Sequence, residues 1–231
     1  MAPSQQEARI AAQIAKAEAE AERAKAEAAK FRAEAEQAEH SAVVSRINRE
    51  QAERRYLEEK TGDKYHHVYW FTGAVDAASV KGCMSALDMW DRLEPGCDVE
   101  IVFISPGGSV ISGMALFDHI LNFRVRGHKV KTVARGYAAS MAGILLQAGD
   151  KRVMGREAYL LIHEVSSLAV GSMGQIEDEV EFLKKIQGRI LDIFAKRSKL
   201  SKATIRRRWR RKDWWLSSEE ALRFGFVDKV E

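Results

Sequence analysis

The sequence has little proline, little cysteine and no long hydrophobic run. Its 231 residues include only 3 prolines and 2 cysteines. Cys83 and Cys97 lack the spacing of a zinc site, which favours a reduced protein but leaves a single disulfide open. Because no apolar run could cross a bilayer and the N-terminus shows no basic-then-apolar leader, the sequence predicts a cytoplasmic protein. A net charge of +4 does not demand a nucleic-acid partner.

Glycine and proline are absent from residues 5–60, which differ most from the rest of the chain. This segment is rich in Ala, Glu, Lys, Arg and Gln, the composition of a long helix. A heptad seam predicts a coiled-coil arm for assembly or docking. A solvated single helix or a partly disordered arm is the alternative, because alanine buries little area. The seam consists of Ile10, Ile14, Ala17, Ala21, Ala24, Ala28, Phe31, Ala35, Ala38 and Ala42.

Strands and helices alternate in the remainder of the chain. Apolar β-type runs at 68–71, 99–105 and 128–133 are separated by helical patterns at 77–93 and from residue 110 onward. This alternation is typical of parallel-sheet crossovers, so the sequence predicts an α/β domain. Later elements are predicted as strands at 151–154 and 159–163, helices at 173–199 and 202–211, and a strand near 226–230. We therefore predict an arm at 1–60, a linker at 61–67 and one domain at 68–231.

The segment at 134–143, Ala-Arg-Gly-Tyr-Ala-Ala-Ser-Met-Ala-Gly, is a candidate reactive site. It is predicted as the end of a strand, a turn at Gly136 and a helix that begins at or near Ser140. A hydroxyl at a helix start lies near unpaired N–H groups, so Ser140 suits a nucleophile whose attack creates an oxyanion. Alternatively, Ser140 is an ordinary N-cap and the small residues only allow close packing.

Two other predicted strand ends reach the same edge, because sites in open α/β sheets lie beyond the carboxyl ends of strands. One carries Pro106-Gly107-Gly108, where the Gly108 amide can face a site, although this is also an ordinary turn. The other delivers His163, a candidate general base. A carboxylate should orient it, and Asp213, between cations and tryptophans, could be held ionised and shielded from solvent. Spacing alone does not select among Glu164, Asp178, Asp192, Asp213 and Asp228.

Four linked motifs resemble those of the proteolytic subunit of Clp protease in order and approximate spacing. They are Ser-Pro-Gly-Gly at 105–108, Gly-Tyr-Ala-Ala-Ser-Met-Ala at 136–142, Leu-Ile-His at 161–163 and Asp-Trp-Trp-Leu-Ser-Ser-Glu-Glu-Ala at 213–221; Gly-Phe-Val-Asp at 225–228 also matches. The resemblance covers about residues 68–231. It implies a crotonase-like (ClpP-like) α/β fold carrying a long N-terminal helical arm, and a serine peptidase.

The resemblance also implies roles for individual residues. Ser140 would be the nucleophile, His163 the base and Asp213 the orienting acid, with the amides of Gly108 and Met141 as the oxyanion hole. It further implies peptide or unfolded-protein substrates, homo-oligomeric stacked rings, an ATPase unfoldase as partner, and no metal or nucleotide cofactor in the peptidase itself.

The chain departs from that family in three places. The long helix replaces or precedes the gating loops that meet the ATPase. Residues 164–167 read Glu-Val-Ser-Ser where many members have a glutamine and a proline, and residues 196–212 are more basic than expected. The variant is similar to Clp-like peptidases of tailed phages, which mature the capsid by cleaving scaffold. A phage scaffold or capsid protein, inside a prohead, is therefore the alternative partner.

Two further functions stay open from the sequence. The crotonase fold also hosts acyl-CoA enzymes, and the core could serve assembly without catalysis.

The run at 196–212 holds ten Lys or Arg residues and could contact nucleic acid, with Trp209, Trp214 and Trp215 as stacking surfaces. Its helical spacing favours a solvated or subunit-facing surface instead. The helix at 173–199 is predicted to pack on its own domain or, by the resemblance, to join two rings. The sequence predicts neither cleavage specificity nor subunit number.

Overall fold

The computed structural model describes residues 5–167 and 169–231, so the first four residues of the predicted arm lie outside the described residues. The chain divides between Lys60 and Thr61 into two compact units. The described residues of the first unit, 5–60, form one helix, α1 (Gln5–Thr61), which ends one residue past the division and whose side chains from residue 12 onward are exposed. The long predicted helix is confirmed. Its pairing into a coiled coil stays a prediction, because that requires a second helix.

Within residues 61–167 and 169–231, the second unit contains a seven-stranded sheet. Five strands lie in the order β1-β2-β3-β4-β7 and are parallel to their neighbours. A branch leaves this path at β3, where β5 pairs in parallel with the end of β3 and antiparallel with β6. The strands are β1 (Val68–Thr72), β2 (Asp98–Ser105), β3 (Lys129–Ala139), β4 (Lys151–Met154), β5 (Tyr159–Ile162), β6 (Trp214–Ser217) and β7 (Lys229–Val230).

Helices connect the parallel strands and cover the sheet. The predicted α/β alternation is confirmed. Helix α2 spans the predicted residues 77–93; in the structure a reciprocal Asp76–Ser79 capping box begins it, and it ends before Pro95. The large side chains of Phe71, Leu87 and Phe103 contribute to one main core. The helices are α2 (Ala77–Leu93), α3 (Val110–Val125), α4 (Met141–Leu145), α5 (Met173–Lys196), α6 (Lys202–Trp209) and α7 (Ser218–Phe224).

The predicted turn at Gly136 is wrong. Strand β3 continues through this residue to Ala139, and Gly136 takes a φ of 64° inside the strand. The reason is a change of partner: residues 131–134 pair with β4, whereas residues 137–139 pair with β5. A glycine accommodates the irregular backbone at this change because it has no Cβ.

Two short elements, β6 and α7, have no counterpart in the sequence prediction. Helices α5 and α6 also end earlier than predicted, at Lys196 and Trp209. In the parts of the chain that the structure describes, no helix combines the length and the apolar composition that a bilayer crossing requires.

Candidate active site

Ser140 lies at the abrupt junction between β3 and α4. Its φ of 53° and ψ of −121° are unusual for a residue with a side chain. Such strain persists only where the surroundings enforce it, and here the Ser140 amide donates a hydrogen bond of 3.0 Å to the carbonyl oxygen of Leu161. The side chain makes no capping hydrogen bond to α4. Ser140 therefore occupies the N-cap position of α4, but its hydroxyl does not cap the helix and is directed elsewhere.

The Ser140 hydroxyl contacts the imidazole of His163. The distance from Oγ to Nε2 is 2.6 Å, that of a short hydrogen bond. The sheet produces this contact: Ala139 is paired with Leu161, Ser140 is the next residue after Ala139, and His163 is the second residue after Leu161. Parallel strands bring their carboxyl ends to one edge, and here two neighbouring ends deliver a hydroxyl and a half-buried base.

Asp213 faces the other ring nitrogen of His163. Strand β6 pairs Trp214 with Ile162 in antiparallel register, so the next position places Asp213 opposite His163. The distance from Oδ1 of Asp213 to Nδ1 is 3.8 Å, close enough for an ion pair but longer than a hydrogen bond. The Asp213 side chain is 61% exposed, so the expectation that it is shielded from solvent is wrong for the single chain.

The other candidate carboxylates do not face His163 Nδ1. Asp192 pairs with Lys202, and Asp228 pairs with Arg152. Burial alone would raise the pKa of Asp228, but hydrogen bonds from Arg152 outweigh it and hold that pKa below its ordinary value. Asp178 is an exposed residue of α5.

Glu164 has a role that the sequence analysis did not identify. Its Oε2 accepts a hydrogen bond of 2.9 Å from the backbone amide of Arg211, which has a positive φ of 54°. This contact ties the residue after His163 to the loop before Asp213. The sequence flagged Glu164 as a departure from the family pattern and as one of several carboxylates, and neither signal predicts a contact with a residue so distant in the chain.

The two glycines before α3 are tightly packed, Gly107 against the Ser140 turn and Gly108 against Val75. A Cβ on Gly107 would lie 2.7 Å from Cβ of Ser140 and 2.8 Å from the amide nitrogen of Met141. A Cβ on Gly108 would lie 2.4 Å from the carbonyl oxygen of Val75. Both positions also have positive φ, so this segment requires glycine.

Gly108 and Met141 both line the cavity at Ser140. The cavity measures about 50 Å³ and includes His163. Among the described residues, neither the Gly108 nor the Met141 amide donates a hydrogen bond to a protein acceptor. Met141 is the first residue of α4, where an N–H has no partner within the helix and the dipole favours negative charge. The two amides are thus available to an anionic oxygen.

Three other features could bear on chemistry: the two cysteines, the tryptophans of the basic run and any cluster of metal ligands. Cys83 and Cys97 are free, so the disulfide alternative is wrong; burial raises the pKa of both thiols and lowers their reactivity. Trp209 and Trp214 are buried, which removes them as stacking surfaces. In residues 5–167 and 169–231, no group of three or more His, Cys, Asp or Glu side chains is arranged to hold a metal ion.

Comparison with known proteins gives one consistent family. The family model for Clp protease matches residues 64–231. The ATP-dependent Clp protease proteolytic subunit of Deinococcus radiodurans is 28% identical over 188 residues, which cover 76% of this chain and 90% of that protein. The ATP-dependent Clp protease proteolytic subunit 3 of Streptomyces coelicolor is 34% identical over 158 residues, covering 68% and 71% respectively. The matched region contains every residue of the site described above.

Proposed function

The chain belongs to the Clp protease family, a family of serine-type peptidases, and we propose that it cleaves peptide bonds through an acyl-enzyme formed on Ser140. The observation that carries the proposal is the 2.6 Å contact between Oγ of Ser140 and Nε2 of His163 at a strained strand-to-helix junction. A serine is a weak nucleophile on its own, and an adjacent base within hydrogen-bond distance activates it.

The reaction proceeds in two halves. Oγ of Ser140 attacks the carbonyl carbon of the scissile peptide while its proton passes to Nε2 of His163. The resulting oxyanion accepts hydrogen bonds from the amides of Gly108 and Met141, which need no reorganisation at that moment. The intermediate expels the amine, which takes the proton from His163 and leaves the acyl group on Ser140. Water then attacks this ester while His163 takes its proton. The C–O bond to Ser140 breaks, Oγ of Ser140 recovers the proton from His163, and the carboxylic acid product departs.

Asp213 orients His163 in this proposal. Its carboxylate lies on the Nδ1 side of the ring, where it selects the tautomer with a free Nε2 and stabilises the imidazolium. The 3.8 Å separation in the single chain exceeds a hydrogen bond. We expect the loop that carries Asp213 to move closer to His163 when the chain assembles.

The rings themselves are also a proposal. The C-terminal half of α5 packs on its own domain through Ile190 and Phe194, whereas Val180 and Phe182 in the other half are exposed. This unpaired apolar surface supports contact between copies of the chain. The similarity to subunits of ATP-dependent Clp proteases supports an ATPase unfoldase as partner, and the long α1 supports a phage scaffold or capsid protein instead. The location of the protein, in the cytoplasm or inside a prohead, stays a prediction, as do these two partners.

Labelling by a fluorophosphonate tests the nucleophile. The intact mass of the wild type should increase by one adduct that maps to Ser140. Ser140→Ala should abolish both the adduct and peptide cleavage, whereas Ser166→Ala, a serine lining the same cavity, should retain both. Native mass spectrometry establishes assembly in each sample. An assembled wild type without an adduct would contradict the proposal, and turnover of a thioester by that sample would favour an acyl-CoA enzyme.

A further inference from the structure

The space beside His163 continues into a strongly basic surface. A depression of about 440 Å³ is lined by His163 and Asp213 together with Arg211 and Lys212. A second depression of about 340 Å³ is lined by Arg206, Arg207 and Arg210. Glu164 lines both depressions and also the cavity at Ser140, so the three spaces adjoin around one side chain.

We call Arg206, Arg207, Arg210, Arg211 and Lys212 the basic wall. All of these side chains are exposed, and within the described residues none of them forms an ion pair. Arg208 is different, because its guanidinium lies 5.3 Å from the ring centre of Trp214 and 5.2 Å from that of Phe224. It is therefore held against aromatic rings and is not counted in the wall.

The carboxylates beside the basic wall do not neutralise it. Glu164 accepts its hydrogen bond from the backbone amide of Arg211 and not from a guanidinium, and Asp213 faces His163. The five cations of the basic wall outnumber these two acids, so the electrostatic potential along the two depressions is positive. Walls of one charge sign concentrate oppositely charged ligands, and guanidinium groups bind carboxylates with well-defined geometry.

We propose that the basic wall binds acidic side chains of the substrate, so that the enzyme prefers peptides carrying Asp or Glu close to the bond that it cleaves. This inference rests on the proposed function, because it concerns the substrate of the same site. A peptide that occupies the basic depressions extends past Glu164 to Ser140, since the spaces adjoin. The wall thereby selects the substrate near the reacting atoms rather than at a remote surface.

Acidic peptide fits this surface better than single-stranded nucleic acid does. Sequence-tolerant binding of single strands needs aromatic faces on which bases stack. Trp209 lines the depression that contains Asp213 but its side chain is buried, and Trp214 is buried and covered by Arg208. Trp215 is half exposed but lines neither depression.

The test compares three fluorogenic peptides that differ only at three positions flanking the scissile bond, occupied by Glu, Gln or Lys. The wild type should show the highest kcat/KM for the Glu peptide, and high ionic strength should reduce that advantage. Neutralising three wall residues by Arg206→Gln, Arg207→Gln and Arg210→Gln should lower kcat/KM for the Glu peptide about tenfold, since each exposed pair contributes modestly. The Gln peptide should change little.

A matched variant removes equal charge elsewhere on the same domain. Lys81→Gln, Arg92→Gln and Arg156→Gln alter exposed cations that line neither depression, and this variant should keep the preference. Equal cleavage of all three peptides by the wild type, or an unchanged preference in the triple wall variant, would overturn the inference while leaving the peptidase intact.

Binding measurements separate this inference from the proposed function. Fluorescence anisotropy of the same peptides with the Ser140→Ala variant reports affinity without requiring hydrolysis. Tighter binding of the Glu peptide supports the basic wall even if the wild type cleaves nothing and takes no fluorophosphonate adduct, a result that would contradict only the proposed function. Equal affinity for the three peptides, together with tight binding of a single-stranded oligonucleotide, would replace the inference with a nucleic-acid surface.

Discussion

Substituting Gly107 by alanine should disturb the nucleophile turn while leaving Ser140, His163 and Asp213 themselves unchanged. The added Cβ meets rigid atoms: the carbonyl oxygen of Ala139 at 2.6 Å, Cβ of Ser140 at 2.7 Å and the amide nitrogen of Met141 at 2.8 Å. None of these is the free end of a flexible side chain, so the backbone must shift. We expect strain at the very residues that position Oγ and one oxyanion donor.

The expected loss in the free energy of unfolding of Gly107→Ala has two parts, one from the backbone conformation and one from steric overlap. A left-handed backbone costs a residue with a Cβ about 1–2 kcal/mol, and Gly107 has a φ of 86°. Overpacking of a tight site adds about 1–3 kcal/mol. Gly96→Ala isolates the first part, because Gly96 has a φ of 83° and nothing within 4 Å of its added Cβ. The free energy of unfolding should therefore fall about 1–3 kcal/mol further in Gly107→Ala than in Gly96→Ala.

Urea unfolding followed by tryptophan fluorescence, at one protein concentration, measures this difference. Fluorophosphonate labelling measures the consequence for the site, and a misplacement on the order of 1 Å should slow labelling about 100-fold in Gly107→Ala. Gly96→Ala should be labelled at the wild-type rate. Equal destabilisation of the two variants, with equal labelling rates, would show that the close approach of Gly107 does not hold the turn.

Three further measurements follow from the geometry. Glu164→Ala removes the acceptor for the Arg211 amide and should lower kcat severalfold, whereas Glu164→Gln keeps an acceptor oxygen and should stay near wild type; equal losses would point to charge rather than to this hydrogen bond. The pKa of Asp228 lies below its ordinary value, so its stabilising effect is present above the ordinary carboxyl range and is lost as pH falls through the depressed pKa. Asp228→Asn should therefore lower stability at neutral pH and flatten the acid limb of the unfolding profile, and a profile parallel to wild type would contradict this. Because Cys83 and Cys97 are buried, a thiol reagent should modify both only after denaturation, and rapid reaction of the native chain would show that the core opens.

The sequence predicted features that depend on neighbouring residues or on the common edge of a parallel sheet. The helical spacing at 77–93 predicted α2 with its observed bounds, and the apolar run at 159–163 predicted β5. Ser140 and His163 were predicted to meet because both follow strands that end at one edge of a parallel sheet, and the structure brings them together.

Features that depend on distant pairing could not be predicted. Strand β6 has four residues, too few to show a period, and forms only by pairing with β5. That antiparallel register places Asp213, and no other candidate carboxylate, opposite His163, so the sequence could not select it without the family resemblance. Gly136 gave a misleading turn signal because a change of strand partner uses the same backbone freedom as a turn.

The pairing of Ala139 with Leu161 also determines where the length of this chain can change. A residue inserted between Leu161 and His163 would advance the imidazole by about 3.3 Å and rotate it to the opposite face of the sheet. The turn at residues 155–158 joins β4 to β5, and each of these strands pairs separately with β3. An insertion in this turn therefore leaves the register of β5 unchanged from Tyr159 onward. Insertions and deletions that preserve activity should therefore accumulate in such turns, while the spacing from Tyr159 to His163 stays constant.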